Sequence, residues 1–186
     1  MTIEAQLPDQ ERLPPEIDSR DGAEPLDELF IALGRLVFEF GQLEEALHDA
    51  LWMALGGRDE VRILSAGLGF RQLLERFRAL YAGFRDPVTG AAAGVDDLCA
   101  LLDNLNTERN REVHSVWGFW ADNGRPARMR RTSRRGSLAL KLEAVEPHEL
   151  LALAERMRLA AVKVWEVALD YERQRQMEET CGESLR

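Results

Sequence analysis

Apolar residues recur at alternating intervals of three and four through the first part of the chain, at Leu26, Phe30, Leu33, Val37, Phe40, Leu47 and Leu51. That rhythm draws one apolar stripe along a helix. Pro25 suits its first turn and Gly56-Gly57 its end. A short helix is predicted from about 58 to 66, before the breaks at Gly67 and Gly69, and another over 70–84 through Leu73, Leu74, Phe77, Leu80 and Tyr81. The Pro- and Gly-bearing stretch 86–94 reads as a mobile connection. A fourth helix follows over 95–116, with Leu98, Leu101, Leu102, Leu105, Val113 and Val116 turned inward.

The period then changes. Segments at 117–121, 128–132 and 137–143 read as a small antiparallel meander, because Leu138, Leu140 and Leu142 alternate with polar neighbours as on a half-buried strand. Asn123-Gly124 suits a tight hairpin. Pro147 opens a last long helix through Leu150, Leu153, Met157, Ala161, Val164 and Ala168 to about Glu178. The fold expected is mainly α: a helical bundle of four to five helices with a β-meander at about 117–143, inserted before the last long helix. One domain spans 24–178, between a disordered acidic, Pro-rich leader at 1–23 and a frayed tail at 179–186.

The 186 residues suffice for one domain with its own core. The acidic N-terminus is no signal peptide, and no apolar run is long enough for a membrane span. Cys99 and Cys181 make neither a disulfide framework nor a metal site, and fit a reducing cytoplasm. A net charge of −9 argues against indiscriminate coating of nucleic acid. The distribution is uneven, however. Arginines 109, 111, 125, 128, 130, 131, 134 and 135 face only Glu112 and Asp122 in that stretch. Such a patch either docks a polyanion at one place or is a solvated ribbon.

The densest chemistry lies at Arg109-Asn110-Arg111-Glu112-Val113-His114, followed by Ser115-Val116-Trp117. At about 100° per residue, Arg109 points into the apolar face of the fourth helix. Asp103, Asn106, Thr107, Asn110 and His114 take the opposite side. An arginine aimed at a core keeps its charge and needs an anion or an aromatic wall. Glu44 interrupts the apolar stripe of the first helix, so a Glu44–Arg109 clamp is the expected partner. On residues alone, this clamp is either architecture or part of a site.

Other signals carry less. Glu45-x-x-His48 has the spacing of a di-iron half-site but no second copy, so both side chains are expected toward solvent. Gly67-x-Gly69 is too short for a phosphate loop, and Ser115 lacks the elbow of a hydrolase nucleophile. Trp52 and Trp165 read as core.

The string from Arg109 to His114 resembles the motif of the HEPN superfamily (higher eukaryotes and prokaryotes nucleotide-binding): an arginine, a polar residue just after it, and a histidine late on a core helix. The long first helix with its glutamate is similar too, whereas the meander departs from the plainest four-helix form. The resemblance implies a metal-independent endoribonuclease without cofactors, acting through the RNA's own 2′-hydroxyl. His114 would move protons, since imidazole titrates near neutrality. Arg109 would neutralise the phosphorane and Asn110 orient the ring or contact phosphate. Arg111, Arg128, Arg130 and Arg131 would steer the strand, Trp117 (or Trp120) would stack a base, and Glu44 and Asn106 would support the site. It also implies a homodimer that pools two histidines in one cleft, through the face bearing His114. RNA is the expected substrate, with an antitoxin or nucleotidyltransferase as expected protein partner in a toxin–antitoxin or defence role. The competing readings are a non-catalytic module that binds nucleotide, RNA or protein, and a structural dimer stapled by Arg109.

Overall fold

The computed structural model describes residues 23–84, 94–120, 124–134 and 137–183. Five helices and three strands follow in the order α1 (Ala23–Ala54), α2 (Asp59–Ser65), α3 (Phe70–Tyr81), α4 (Val95–Val113), β1 (Val116–Phe119), β2 (Pro126–Arg134), β3 (Ser137–Ala144) and α5 (Pro147–Glu183). The chain is therefore mainly helical, with a three-stranded antiparallel sheet in the order β1-β2-β3 before the last long helix. Residues 1–22 of the expected leader lie outside the described residues, while Ala23 already opens α1; positions 86–93 of the expected 86–94 connection, 121–123 and 135–136 also lie outside. The last helix runs to Glu183, so most of the expected tail is helix.

α1 and α5 make the most extensive helix pair. Small buried residues allow it: Ala32, Ala46 and Ala50 on α1, and Ala154, Ala160, Ala161 and Ala168 on α5. The two helices run in the same direction, since Glu39 lies near Arg158 and Gly56 near Arg175. α3 runs the same way beside α1, fixed by a Phe40–Phe70 ring contact and a hydrogen bond from the Tyr81 hydroxyl to the Ala50 carbonyl at 2.9 Å. Burial pushes the Tyr81 phenol well above its ordinary range, so it stays a neutral donor. α4 returns antiparallel to α3, with Arg78 near Asp96 at one end and Arg71 near Asp103 at the other.

The buried face of α1 differs from the expected stripe. Leu29, Ala32, Leu36, Phe40, Leu43, Ala46, Leu47, Ala50 and Leu51 are buried, whereas Phe30 and Val37 are 60% and 48% exposed. Of the expected stripe, Phe40, Leu47 and Leu51 are buried and Leu26 and Leu33 half-buried; the tight α1–α5 approach buries Leu29, Ala32 and Leu36 in place of Phe30 and Val37. The inward positions expected on α3 and α5 are buried, with Leu80 half-buried. Val116 leaves α4 for β1 and is exposed, Leu142 is 54% exposed, and Trp165 lies at the surface. Trp52 is half-buried with the Arg62 guanidinium over its ring. His48, expected toward solvent, is half-buried and hydrogen-bonds Ser65 at 3.0 Å.

Candidate functional site

α4 ends where its carbonyls find other donors. The Trp117 indole donates to the Glu112 carbonyl at 3.0 Å, and the Ser115 hydroxyl donates to the Arg111 carbonyl. His114 is the cap residue itself, its backbone N–H bonded to the Asn110 carbonyl at 3.1 Å. Its imidazole is exposed and makes no side-chain hydrogen bond among the described residues. Trp117, expected to stack a base, is half-buried against the core, and its indole anchors the helix end.

One turn earlier, Arg109 does point toward the core. The expected clamp with Glu44 is not formed: no ion pair within 4.0 Å joins them. The aromatic alternative is realised. The guanidinium carbon stands 4.3 Å from the centroid of the Phe40 ring, which itself packs on Phe70. Such a stack holds a cation by the ring's quadrupole and contributes about 0.5–2 kcal/mol. Arg109 also donates to the Asn110 side-chain oxygen at 2.9 Å, and the Asn110 amide donates to Asn106 at 3.2 Å. The Arg109 Nε is buried without a partner.

These groups border an open groove of about 420 Å³. Phe40 and Glu44 form one wall, Asn106, Arg109 and Asn110 another, and Gly69 to Gln72 at the start of α3 the third. Asn106 and Asn110 were expected on the opposite side of α4 from Arg109, yet they share its groove, and Asn106 is only 8% exposed. Gly69 caps α3 with its N–H held by the Gln72 side chain at 3.1 Å. A helix start carries partial positive charge, and Arg71 adds a cation whose contact with Asp103 is loose, at 3.8 Å. His114 does not line the groove. The chain thus brings together Arg109, Asn110, Asn106 and Glu44, and leaves the histidine outside.

The arginine-rich segment divides sharply. Arg128, expected to steer substrate, is buried on β2, with its guanidinium bonded to both oxygens of Glu112 and to Glu143 on β3. Burial works against this cation, but the two carboxylates outweigh it and raise Arg128 above its ordinary range. Arg111 donates its Nε to the same Glu112 at 3.0 Å, and Arg125 pairs with Glu146. The side chains of Arg130 and Arg131 lie outside the described residues.

Glu112, Glu143, Phe40 and Arg71 were not singled out from the sequence. Glu112 was findable: three residues after Arg109, it falls about 60° away on the helix and so belongs to the same inward arc. Among the described residues no cluster of three metal-ligating side chains occurs, and no helix is long and apolar enough to cross a membrane. Comparison with known proteins found no matching family model, no similar curated protein and no similar solved structure.

Proposed function

We propose that this protein is a metal-independent endoribonuclease of the HEPN kind, acting as a homodimer on RNA. One observation carries the reading: Arg109 is held at a groove by an aromatic ring and an amide, with no carboxylate neutralising it. A guanidinium placed this way keeps donors for a phosphodiester. Asn106, Asn110 and the first turn of α3 add polar lining suited to an anion.

The chemistry then follows from the groups present. An imidazole accepts the 2′-hydroxyl proton as the 2′-oxygen attacks phosphorus. Arg109 neutralises the growing charge on the non-bridging oxygens. The bond to the 5′-oxygen breaks, and a second imidazole protonates that leaving oxygen. The products are a 2′,3′-cyclic phosphate and a 5′-hydroxyl. Each chain has one histidine at this place, so the second comes from another copy. The exposure of the His114 imidazole at the end of α4 supports such sharing.

A second reading is favoured by one fact: within a single chain His114 stays outside the groove that Arg109 lines. A non-catalytic module would use the same groove to hold a nucleotide or RNA. Incubation of the purified protein with RNA in EDTA separates the two. Fragments ending in cyclic phosphate are expected from wild type and not from Arg109→Ala or His114→Ala. Binding without cleavage, weakened by Arg109→Ala and by salt, would establish the second reading instead.

A further inference from the structure

The outward face of α1 is apolar over three turns. Phe30, Ile31, Val37 and Phe38 are all exposed, Ile31 and Phe38 by 67% and 57%. None of them lines the Arg109 groove. Gly34 and Gly41 lie between them, in the interior of a 32-residue helix. Glycine is among the poorest helix formers, and an added Cβ at either position would meet nothing within 4 Å. Packing inside the chain therefore gives no reason for these glycines.

The order of sizes supplies one. Along the stripe, Phe30, Gly34, Val37 and Gly41 run large, small, large, small at intervals of four, three and four. Reversing the direction of that series maps every large residue onto a small one. We infer that α1 pairs with α1 of a second copy, antiparallel about a two-fold axis between residues 35 and 36. Phe30 then sits on the partner's Gly41, and Val37 on the partner's Gly34. A parallel pairing would set Phe30 against Phe30 and leave the glycines facing each other, so the pattern selects the antiparallel arrangement.

The size pattern selects a second copy as the occupant, and the exposed area is of the order such a contact needs. With an aromatic side chain at about 150–250 Å², the four α1 residues expose on the order of 400 Å². That is about half of the roughly 800 Å² per partner of a standard interface. The charges beside it cancel within the chain, Arg35 with Glu39 at 2.6 Å and Arg158 with Glu155 at 2.6 Å. About this axis Asp27 comes beside the partner's Glu44 and Glu45 at each end, so the isologous contact should tighten as salt screens these carboxylates. This contact differs from the one a shared His114 cleft needs, and it does not rest on the nuclease reading.

The test is the mass in solution by light scattering and sedimentation, with circular dichroism confirming helix in every variant. Wild type should run at twice the chain mass of 21.1 kDa, or at four times if the α4 ends also pair. Phe38→Glu, Gly34→Leu and Val37→Gly should each halve that mass or weaken association at least about tenfold. The double variant Gly34→Leu/Val37→Gly exchanges large for small on both chains and should recover association to within about threefold of wild type. A monomeric wild type overturns the inference, and its retention on phosphatidylcholine vesicles would hand the face to a membrane. Folded single variants that associate like wild type, or a folded double variant that does not recover, overturn it too. Loss of RNA cleavage with this pairing intact would defeat only the nuclease reading.

Discussion

Arg109 and Arg128 belong to the same arginine-rich segment and meet opposite fates. Arg128 enters a buried pocket between α4 and the sheet, where Glu112 and Glu143 take up its charge. Arg109 enters the bundle at the end of α4 and finds a phenyl ring, an amide and a groove. The first arrangement fixes the sheet to the helix and leaves no charge for a ligand. The second leaves a cation whose neutralisation is incomplete. A count of basic residues cannot separate the two, because the difference lies in whether a carboxylate reaches the guanidinium.

The largest effects should fall on the Arg128 side. Arg128→Met removes the cation between Glu112 and Glu143 and should lower unfolding stability by up to about 3–5 kcal/mol in denaturant titrations; Glu112→Gln, which leaves Arg128 on Glu143, should cost less. Replacing both, as Arg128→Met/Glu112→Leu, should recover much of that loss, since the pair is costly to bury. If the single variants unfold like wild type, Arg128 is not a staple and the contrast with Arg109 collapses.

Arg109→Ala should behave the other way round. Loss of the Phe40 stack costs only about 0.5–2 kcal/mol, while RNA cleavage should fall by about 10²- to 10³-fold, as for removal of a group that stabilises an oxyanion. His114→Ala, at an exposed cap, should leave unfolding unchanged within about 0.5 kcal/mol and still abolish cleavage. The smallest effect is expected at Glu44, which lines the groove without pairing to Arg109. Glu44→Gln removes a negative charge from the path of a polyanion, so RNA affinity at low salt should rise by roughly two- to tenfold, a gain that salt erases. Weaker binding in that variant would mean that Glu44 holds the groove open rather than repelling the strand.

Legibility in the sequence followed periodicity. Where one apolar stripe met one neighbouring surface, as on α3 and α5, the inward residues could be read directly. On α1, Phe40, Leu47 and Leu51 are buried as the period predicts, but before Phe40 the buried face lies a step away from Phe30 and Val37. A helix with apolar residues on two faces has no single stripe, and the face with Phe30 and Val37 was the more conspicuous one. The same principle explains the site. The inward aim of Arg109 was legible from the helical period. Its partner was not, because Phe40 looked like ordinary core and Glu44 like the natural counter-ion. Long-range pairings such as Glu112–Arg128–Glu143 depend on strand register, with Arg128 set opposite Glu143 across the β2–β3 ladder. No local pattern encodes that register. The arginines that were read as one patch were therefore divided by tertiary packing.

Dilution of wild type with His114→Ala protein tests the central claim most directly, that Arg109 of this groove works with imidazoles pooled from two copies. After subunit exchange only dimers that keep both His114 side chains hold a base and an acid, so cyclic-phosphate production in EDTA should fall with the square of the wild-type fraction. A fall in simple proportion to that fraction, with mixed dimers formed, would contradict the shared cleft; an inactive wild type would contradict the nuclease altogether.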